Sequence, residues 1–422
     1  MNVTLKQAAY ATHVTAPPSK SVAHRLLIAA AFADKPTTLR IATLNEDIEA
    51  TVRCLVALGA SIIHTGDTLT VTPISPESCQ KNALLDCGES GSTLRFLLPV
   101  CGAIGANATF LRRGRLGVRP LEPLATELKR HGMELTEEGD LLSTKGNICA
   151  GEYSIDGSVS SQYVTGLLFA LSLLPAPSTL TLTGRIESAP YIAITEEALA
   201  KFGVCPTRTQ NTYRLAGYKE QPFKTTGALS TDGDFSGAAF PLALGAIGTH
   251  PVTVTGLTLP SSQGDSAIVS LLAKFGAAVS VEENGITVSP APLRALRIDA
   301  TDIPDLVPIL CVVAAAAEGT TVITGAARLR LKESDRLLAV QAMLSALGGK
   351  VTKTEDGLVI EGNIPLHGGE IDSFGDHRIA MSAAAASLLT TEEVRIKGAH
   401  SIAKSYPAFF DDVIFPTRKE PT

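Results

Sequence analysis

The chain has 422 residues, 45% of them apolar and 18% charged, where an average soluble domain carries roughly a quarter charged residues. At about 150 residues per domain that length predicts two or three domains with a large core, and it excludes a disordered chain. With 36 basic and 42 acidic residues the formal net charge is −6, and no basic run is interleaved with aromatics, which disfavours nucleic-acid partners.

In chain order, the first residues lack an apolar core behind a basic start, so no export signal is expected. Pro18-Ser19-Lys20-Ser21 leads into the Ala/Leu-rich run Ser19 to Ala33, a capped helix with Lys20 at its mouth and Arg25 one turn above Ser21. Cys54 to Ile62 reads as a helix end, then Gly59, then a strand start, and Thr68 to Ile74 alternates like a strand. Gly88 to Thr93, before Leu94-Arg95, is a Gly/Ser-rich entrance to a helix over Ser90 to Val100. Its small residues let backbone N–H groups approach an anion, although a plain turn explains the glycines equally well. Arg112, Arg113, Arg115 and Arg119 crowd before Pro120, which suits the first turn of a helix, and they read either as a solvated loop or as an anion gate.

Glu127 to Leu135 ends a helix at Gly132, Ser160 to Leu174 begins another, and Ala198 to Val204 ends one at Gly203. After the polar, turn-rich stretch Gly217 to Gly227, a helix opens at Asp234 to Leu244, a strand follows at Val252 to Leu257, and Leu271 to Val279 closes a helix at Gly276 before the strand Ile286 to Ser289. Asp302 to Ala317 opens the next helix and holds the longest apolar stretch, Leu306 to Ala317, whose 12 residues include Pro308. That falls short of the ~20 needed to span a bilayer, so no transmembrane helix is expected. Lys332-Glu333-Ser334-Asp335-Arg336 opens the helix that Met343 to Val351 ends at Gly348, and Leu358 to Glu361 is a strand. Asp376-His377-Arg378 starts a last Ala-rich helix over Asp376 to Leu389, Glu393 to Lys397 is a strand, and Lys404 precedes Tyr406-Pro407.

The five helix-ending glycines recur at separations of 71 to 73 residues, and the polar helix starts share that period. Such self-similarity marks an internal repeat. About six units of two helices and several strands fill the chain, three on either side of Gly217 to Gly227, so the simplest partition is two domains of an α/β class.

A helix N-terminus carries partial positive charge, so Lys and Arg there cost stability unless an anion or a carboxylate answers them. Lys20, Arg25, Arg119, Lys332, Arg336, Arg378 and Lys404 all stand at such entrances. Ordinary surface pairing is the alternative at each one. If the entrances converge, they form a cleft for multiply charged phosphates or carboxylates. Neither a Walker loop nor a GxGxxG occurs, and the histidines show no HxH or HxxxH, so ATP, NAD and metals lack their usual cradles. The seven cysteines show no CxxC and an odd total, which fits a reduced cytoplasm and not a zinc site. Carboxylates and lysines remain as proton carriers, Asp305 and Glu333 among them, with helix capping as the alternative for Asp305.

Pro18 to Ser21 with Arg25, Gly88 to Arg95, Arg119-Pro120, Ser160-Ser161-Gln162, Ile303-Pro304-Asp305, Lys332 to Arg336, Asp376-His377-Arg378 and Lys404 to Pro407 resemble, in order and spacing, the 5-enolpyruvylshikimate-3-phosphate synthase family. The resemblance implies two domains, each of three βαβαββ units forming an inside-out α/β barrel. The first would be residues 1–18 plus 228–422, holding both termini, the second 19–227, with the active site in the cleft between them. It implies transfer of the enolpyruvyl group of phosphoenolpyruvate to the 5-hydroxyl of shikimate 3-phosphate, in aromatic amino-acid biosynthesis, without metal or organic cofactor, by a cytoplasmic monomer with neither nucleic-acid nor membrane partners.

Carried over by position, Lys20, Ser21, Arg25, Ser160, Ser161, Gln162, Ser188, Tyr191, Asp305 and Lys332 would hold shikimate 3-phosphate. Lys20, Gly91, Arg119, Gln162, Arg336, Arg378 and Lys404 would surround phosphoenolpyruvate. Asp305 would take the 5-hydroxyl proton, Glu333 would protonate the methylene carbon, and Lys20 is a second proton-transfer candidate, since a lysine among cations can have a lowered pKa. Two positions depart from the family pattern: Glu89 stands where the family usually has Asn, and Arg328 where it has Asn near the lysine. Arg328 is kept as a further contact to shikimate 3-phosphate. Gly91 is retained, which implies sensitivity to glyphosate. The alternatives are the sister transferase acting on UDP-N-acetylglucosamine, which typically carries a cysteine in the arginine loop where residues 112 to 119 have none, and a non-catalytic DNA-encircling clamp.

Overall fold

The computed structural model describes residues 1–420. It contains six four-stranded sheets, each with a parallel pair followed by two antiparallel pairings. The third unit shows the plan. Glu152–Asp156 leads through the helix Ser161–Leu173 into Ser178–Thr183, its parallel neighbour, and the helix Ala189–Ala200 returns the chain to the hairpin Thr207–Thr209 and Thr212–Leu215. Burial alternates along Ser178–Thr183 because one face of the sheet meets the helices and the other meets solvent.

In each unit the first helix lies inside. These are Lys20–Ala31, Gly91–Ile104, Ser161–Leu173, Phe235–Ile247, Val307–Ala316 and His377–Ala386. Val307 through Ala315 are all buried, as are Val22 through Ala31. A helix enclosed on every side must be apolar all round, which is why these stretches show Ala/Leu runs rather than an amphipathic period. Close approach also requires small residues. A Cβ on Gly166 would stand 2.3 Å from the carbonyl oxygen of Arg95 on the neighbouring inner helix, so only Gly fits that crossing.

The helix starts are capped as their residue types predict. Ser90, Ser160, Asp234 and Asp376 accept from the backbone N–H groups of Thr93, Gln162, Ser236 and Arg378, each cap contributing about 1 kcal/mol. Gly59 and Gly276 end their second helices as expected, whereas the helices before Gly132, Gly203 and Gly348 have their C-caps one or two residues earlier, at His131, Lys201 and Leu347. Gly59 and Gly276 both have φ of 114°, a conformation in which a Cβ would strain the backbone.

Three expected helix starts are displaced. The fifth inner helix begins at Val307 after the 3-10 turn Pro304–Leu306 rather than at Asp302, because Pro308, lacking an N–H, belongs in a first turn. Lys332 to Ser334 precede a helix that starts at Arg336 with Asp335 as its cap. Arg119-Pro120 opens no helix. The carbonyl of Pro120 accepts from Arg95 Nη2 at 3.2 Å and Tyr163 Oη at 2.6 Å, which holds the chain extended until the helix Leu124–Arg130.

The chain divides into two compact units, Met1–Ser19 with Asp232–Thr422, and Lys20–Thr231. Residues 228–231 therefore belong with the second unit and not the first, because Ala228–Ser230 pairs in parallel with Thr37–Arg40. Reciprocally, His13–Thr15 supplies the first strand of the fourth sheet beside Val252–Thr255. Asn2–Leu5 lies between Val394–Lys397 and Arg418–Glu420 in the sixth. Each unit has its own apolar core. No helix among the described residues is long and apolar enough to cross a membrane.

Candidate active site

In the unit Lys20–Thr231 two buried arginines, Arg25 and Arg95, donate to neutral groups. Arg25 is 2% exposed. Its Nε donates to Thr195 Oγ1 at 2.8 Å, Nη1 to the Ser21 carbonyl at 2.6 Å, and Nη2 to Thr165 Oγ1 at 3.1 Å and the Tyr191 carbonyl at 2.9 Å. Burial pulls its guanidinium down to about 9, which still leaves it cationic at neutral pH. Ser188 sits beside this group at the mouth of the helix Ala189–Ala200, in a left-handed conformation with φ of 55°.

Arg95 Nη1 donates to Gln162 Oε1 at 2.7 Å, and Gln162 Nε2 donates to Ser92 Oγ at 3.0 Å, so Gln162 is fixed between two helix entrances. Ser160 caps the Gln162 helix and Ser161 is its buried first residue. Arg119 lies against the entrance of the Gly91 helix, where a Cβ added to Gly91 would come within 2.8 Å of its Nη1. Lys20 Nζ meets Asp47 Oδ2 at 2.8 Å. The Asp47 carbonyl and the Ser90 hydroxyl both accept from Thr93 Oγ1, at 3.4 and 2.8 Å, which ties the lysine's partner to the Gly91 entrance. His24 lies behind them. Burial first, then the charges of Lys20 and Arg25, holds it well below the usual histidine range, so it is neutral.

Not all of the arginine-rich loop serves this patch. Arg112 is 1% exposed and is consumed by Glu137 and by the carbonyls of the hairpin turn near Gly139. Arg113 pairs with Asp86 at 2.9 Å. Glu89, the departure from the family pattern, packs under Gly114 in the same loop, 2.6 Å from where a Cβ would stand.

The unit containing residues 232–420 presents a denser arrangement. Arg336, 1% exposed, donates to Asp305 Oδ1 at 2.7 Å, Glu333 Oε2 at 2.8 Å and Asp376 Oδ2 at 2.8 Å. These carboxylates outweigh the burial that would lower it and hold its pKa well above the usual arginine range. Asp305 in turn receives Arg378 Nη2 at 3.2 Å and Lys332 Nζ at 3.7 Å. Burial pulls Lys332 down to about 8 against the charge of Asp305. Lys404 Nζ donates to the Gly375 carbonyl at 2.9 Å, and Ser334 Oγ to Asp376 at 3.0 Å. Arg328 Nη2 donates to the Thr301 carbonyl at 3.3 Å.

The structure thus gathers Asp305, Lys332, Glu333, Arg336 and Arg378 into one network, with Lys404 at the same helix entrance. It gathers Lys20, Gly91, Arg119 and Gln162 in the other unit, with Ser21, Arg25, Ser188 and Tyr191 around a second buried arginine. Sequence reasoning missed Asp47, Arg95 and the clamping role of Asp376. Their partners lie 27, 67 and 40 residues away in sequence, and no local pattern announces such pairs.

Matched against known families, residues 6–413 fit the EPSP synthase (3-phosphoshikimate 1-carboxyvinyltransferase) model. The chain belongs to the EPSP synthase family. A 3-phosphoshikimate 1-carboxyvinyltransferase of Clostridium kluyveri is 42% identical over 402 residues, covering 94% of this chain and 93% of that one. Its counterpart in Clostridium novyi is 38% identical over 409 residues, with the same coverage of both chains. Among solved structures, an EPSP synthase from Acinetobacter baumannii superposes with a TM-score of 0.80 at 27% identity, covering 97% of this chain and 96% of that one. The resemblance carried by the helix-entrance motifs is borne out, as is the two-domain α/β architecture of EPSP synthases. Among the described residues no group of His, Cys, Asp and Glu is placed to hold a metal ion.

Proposed function

We propose that this protein, as a member of the EPSP synthase family, transfers the enolpyruvyl group of phosphoenolpyruvate to the 5-hydroxyl of shikimate 3-phosphate and releases inorganic phosphate. The observation that carries the reading is Asp305. It is a carboxylate held by Arg336, Arg378 and Lys332, at the position that the family resemblance casts as the base for the 5-hydroxyl.

Arg336 supports both binding and release. Its three carboxylate partners balance it while buried, and an incoming substrate carboxylate or phosphate would compete with Asp305 and Glu333 for its donors. Substrate binding thereby frees these two side chains for proton transfer at the moment it is needed. Asp305 takes the 5-hydroxyl proton as the oxygen attacks C2 of phosphoenolpyruvate, and Glu333 delivers a proton to the methylene carbon, giving a tetrahedral ketal. Loss of phosphate with removal of a methyl proton restores the enol ether, so protons and bonds balance without a cofactor.

In the other unit Lys20, Arg119, Gln162 and the N–H groups at Gly91 supply cationic and helix-dipole contacts for phosphate and carboxylate. Ser21, Arg25, Ser160, Ser161, Ser188, Tyr191, Arg328 and Lys332 are assigned to shikimate 3-phosphate. The reading extends to a cytoplasmic monomer acting on small molecules. Purified protein with phosphoenolpyruvate and shikimate 3-phosphate is expected to release phosphate, and UDP-N-acetylglucosamine is expected to give none. Release only with the sugar nucleotide, or with neither acceptor, would overturn the assignment.

A further inference from the structure

Asp265, in the 3-10 turn Gly264–Ser266, is 2% exposed and belongs to none of the binding or proton-transfer groups above. Its Oδ2 hydrogen-bonds the Ser236 hydroxyl, while Oδ1 is buried without a hydrogen-bond partner among the described residues. Ser236 lies in the first turn of the helix Phe235–Ile247, capped by Asp234. The Ser236 carbonyl accepts from Arg378 Nη1 at 3.4 Å, and Arg378 Nη2 holds Asp305 at 3.2 Å. One serine therefore links a buried carboxyl to an arginine assigned to phosphoenolpyruvate, and that arginine to the base.

A buried carboxylate oxygen with no partner is costly, and the common resolution is to keep the proton. The groups facing Asp265 act in both directions. Burial comes first, and the negative charges of Asp305 and Asp234 reinforce it, while Arg378 and the Ser236 hydroxyl oppose it; together they push the carboxyl up to about 7. Neutral, Asp265 can donate its proton to Ser236 Oγ and leaves Arg378 to Asp305 and to an anionic ligand. Ionised, it places a second carboxylate charge near Arg378 and offsets the field that attracts the ligand.

We infer that Asp265 is a positioning residue for Arg378, permissive when neutral and antagonistic to phosphoenolpyruvate binding when ionised. This deepens the functional reading above and rests on its assignment of Arg378.

The test compares wild type with Asp265→Asn, which removes the ionisation and keeps the shape. Between pH 6.5 and 8.5 the wild-type KM for phosphoenolpyruvate is expected to rise about tenfold more than that of the variant, with kcat changing alike in both. Ionisation of the substrate's own phosphate is common to both proteins and cancels in the ratio. Ser236→Ala, which removes the hydroxyl that favours the ionised form, is expected to move the wild-type limb to higher pH.

Thermal unfolding provides a readout independent of activity. A carboxyl raised in the folded state binds more protons folded than unfolded between 3.8 and about 7, so its contribution to stability falls as pH rises through that window. Asp265→Asn is therefore expected to gain in Tm relative to wild type at pH 8.5 and not at pH 4. Parallel KM profiles with an unchanged Tm difference would overturn the inference while wild type remains active. A wild type that releases no phosphate would instead overturn the functional reading.

Discussion

The two compact units solve the same problem, burying arginine at a helix entrance, in opposite ways. In Lys20–Thr231, the buried Arg25 and Arg95 donate to hydroxyls, carbonyls and an amide, while Lys20 meets Asp47. In the other unit Arg336 alone meets three carboxylates, and Asp305 meets three cations. Cations held by neutral groups keep their positive field for a ligand, whereas a balanced cluster keeps exchangeable partners. On the proposed function, the difference is a division of labour: the cations of Lys20–Thr231 would attract anions, and the cluster around Asp305 would move protons when an anion disturbs its balance.

The largest effect that would break this comparison is at Arg336. Lys in its place keeps the charge and loses the fork that meets Asp305, Glu333 and Asp376 together. We expect Arg336→Lys to lower kcat/KM by about 10²- to 10³-fold, and to lower Tm, since breaking a buried pair costs about 3–5 kcal/mol. A fall of less than threefold by steady-state phosphate release would show that the balanced cluster is incidental.

A smaller effect sharpens the binding side. Gly91→Ala places a Cβ within 2.8 Å of Arg119 Nη1, so the guanidinium must shift. We expect the KM for phosphoenolpyruvate to rise about tenfold, worth ~1.4 kcal/mol, with kcat within about threefold of wild type. A drop confined to kcat would place Gly91 in the chemistry instead.

Much of the architecture was legible because periodicity and local capping report it. The glycines at 59, 132, 203, 276 and 348 all adopt positive φ, and Ser90, Ser160, Asp234 and Asp376 cap helices as their side chains favour. The exchanged strands were not legible. Val14 pairs with Val254 and Leu229 with Leu39, and strands with ordinary alternation carry no mark of a partner so distant in sequence.

The site divides along the same line. Lys20, Asp305 and Arg336 stood out by their places at helix entrances and by family motifs, yet four arginines crowded into residues 112 to 119 look equivalent in sequence and are not. Arg112 clamps a hairpin, Arg113 pairs with Asp86, and Arg119 reaches Gly91. Asp47, Asp376 and Asp265 are defined by what they face, which only the folded chain supplies.

The most direct test of the division of labour is Asp305→Asn, measured by calorimetric binding of shikimate 3-phosphate and by turnover on the same preparation. Neutralising the base while keeping its shape should leave the dissociation constant within about fivefold and lower kcat by about 10³-fold or more, the range for loss of a positioned base. A normal kcat, or a loss of binding that accounts for the whole fall in rate, would contradict the assignment of proton transfer to the ion-pair cluster.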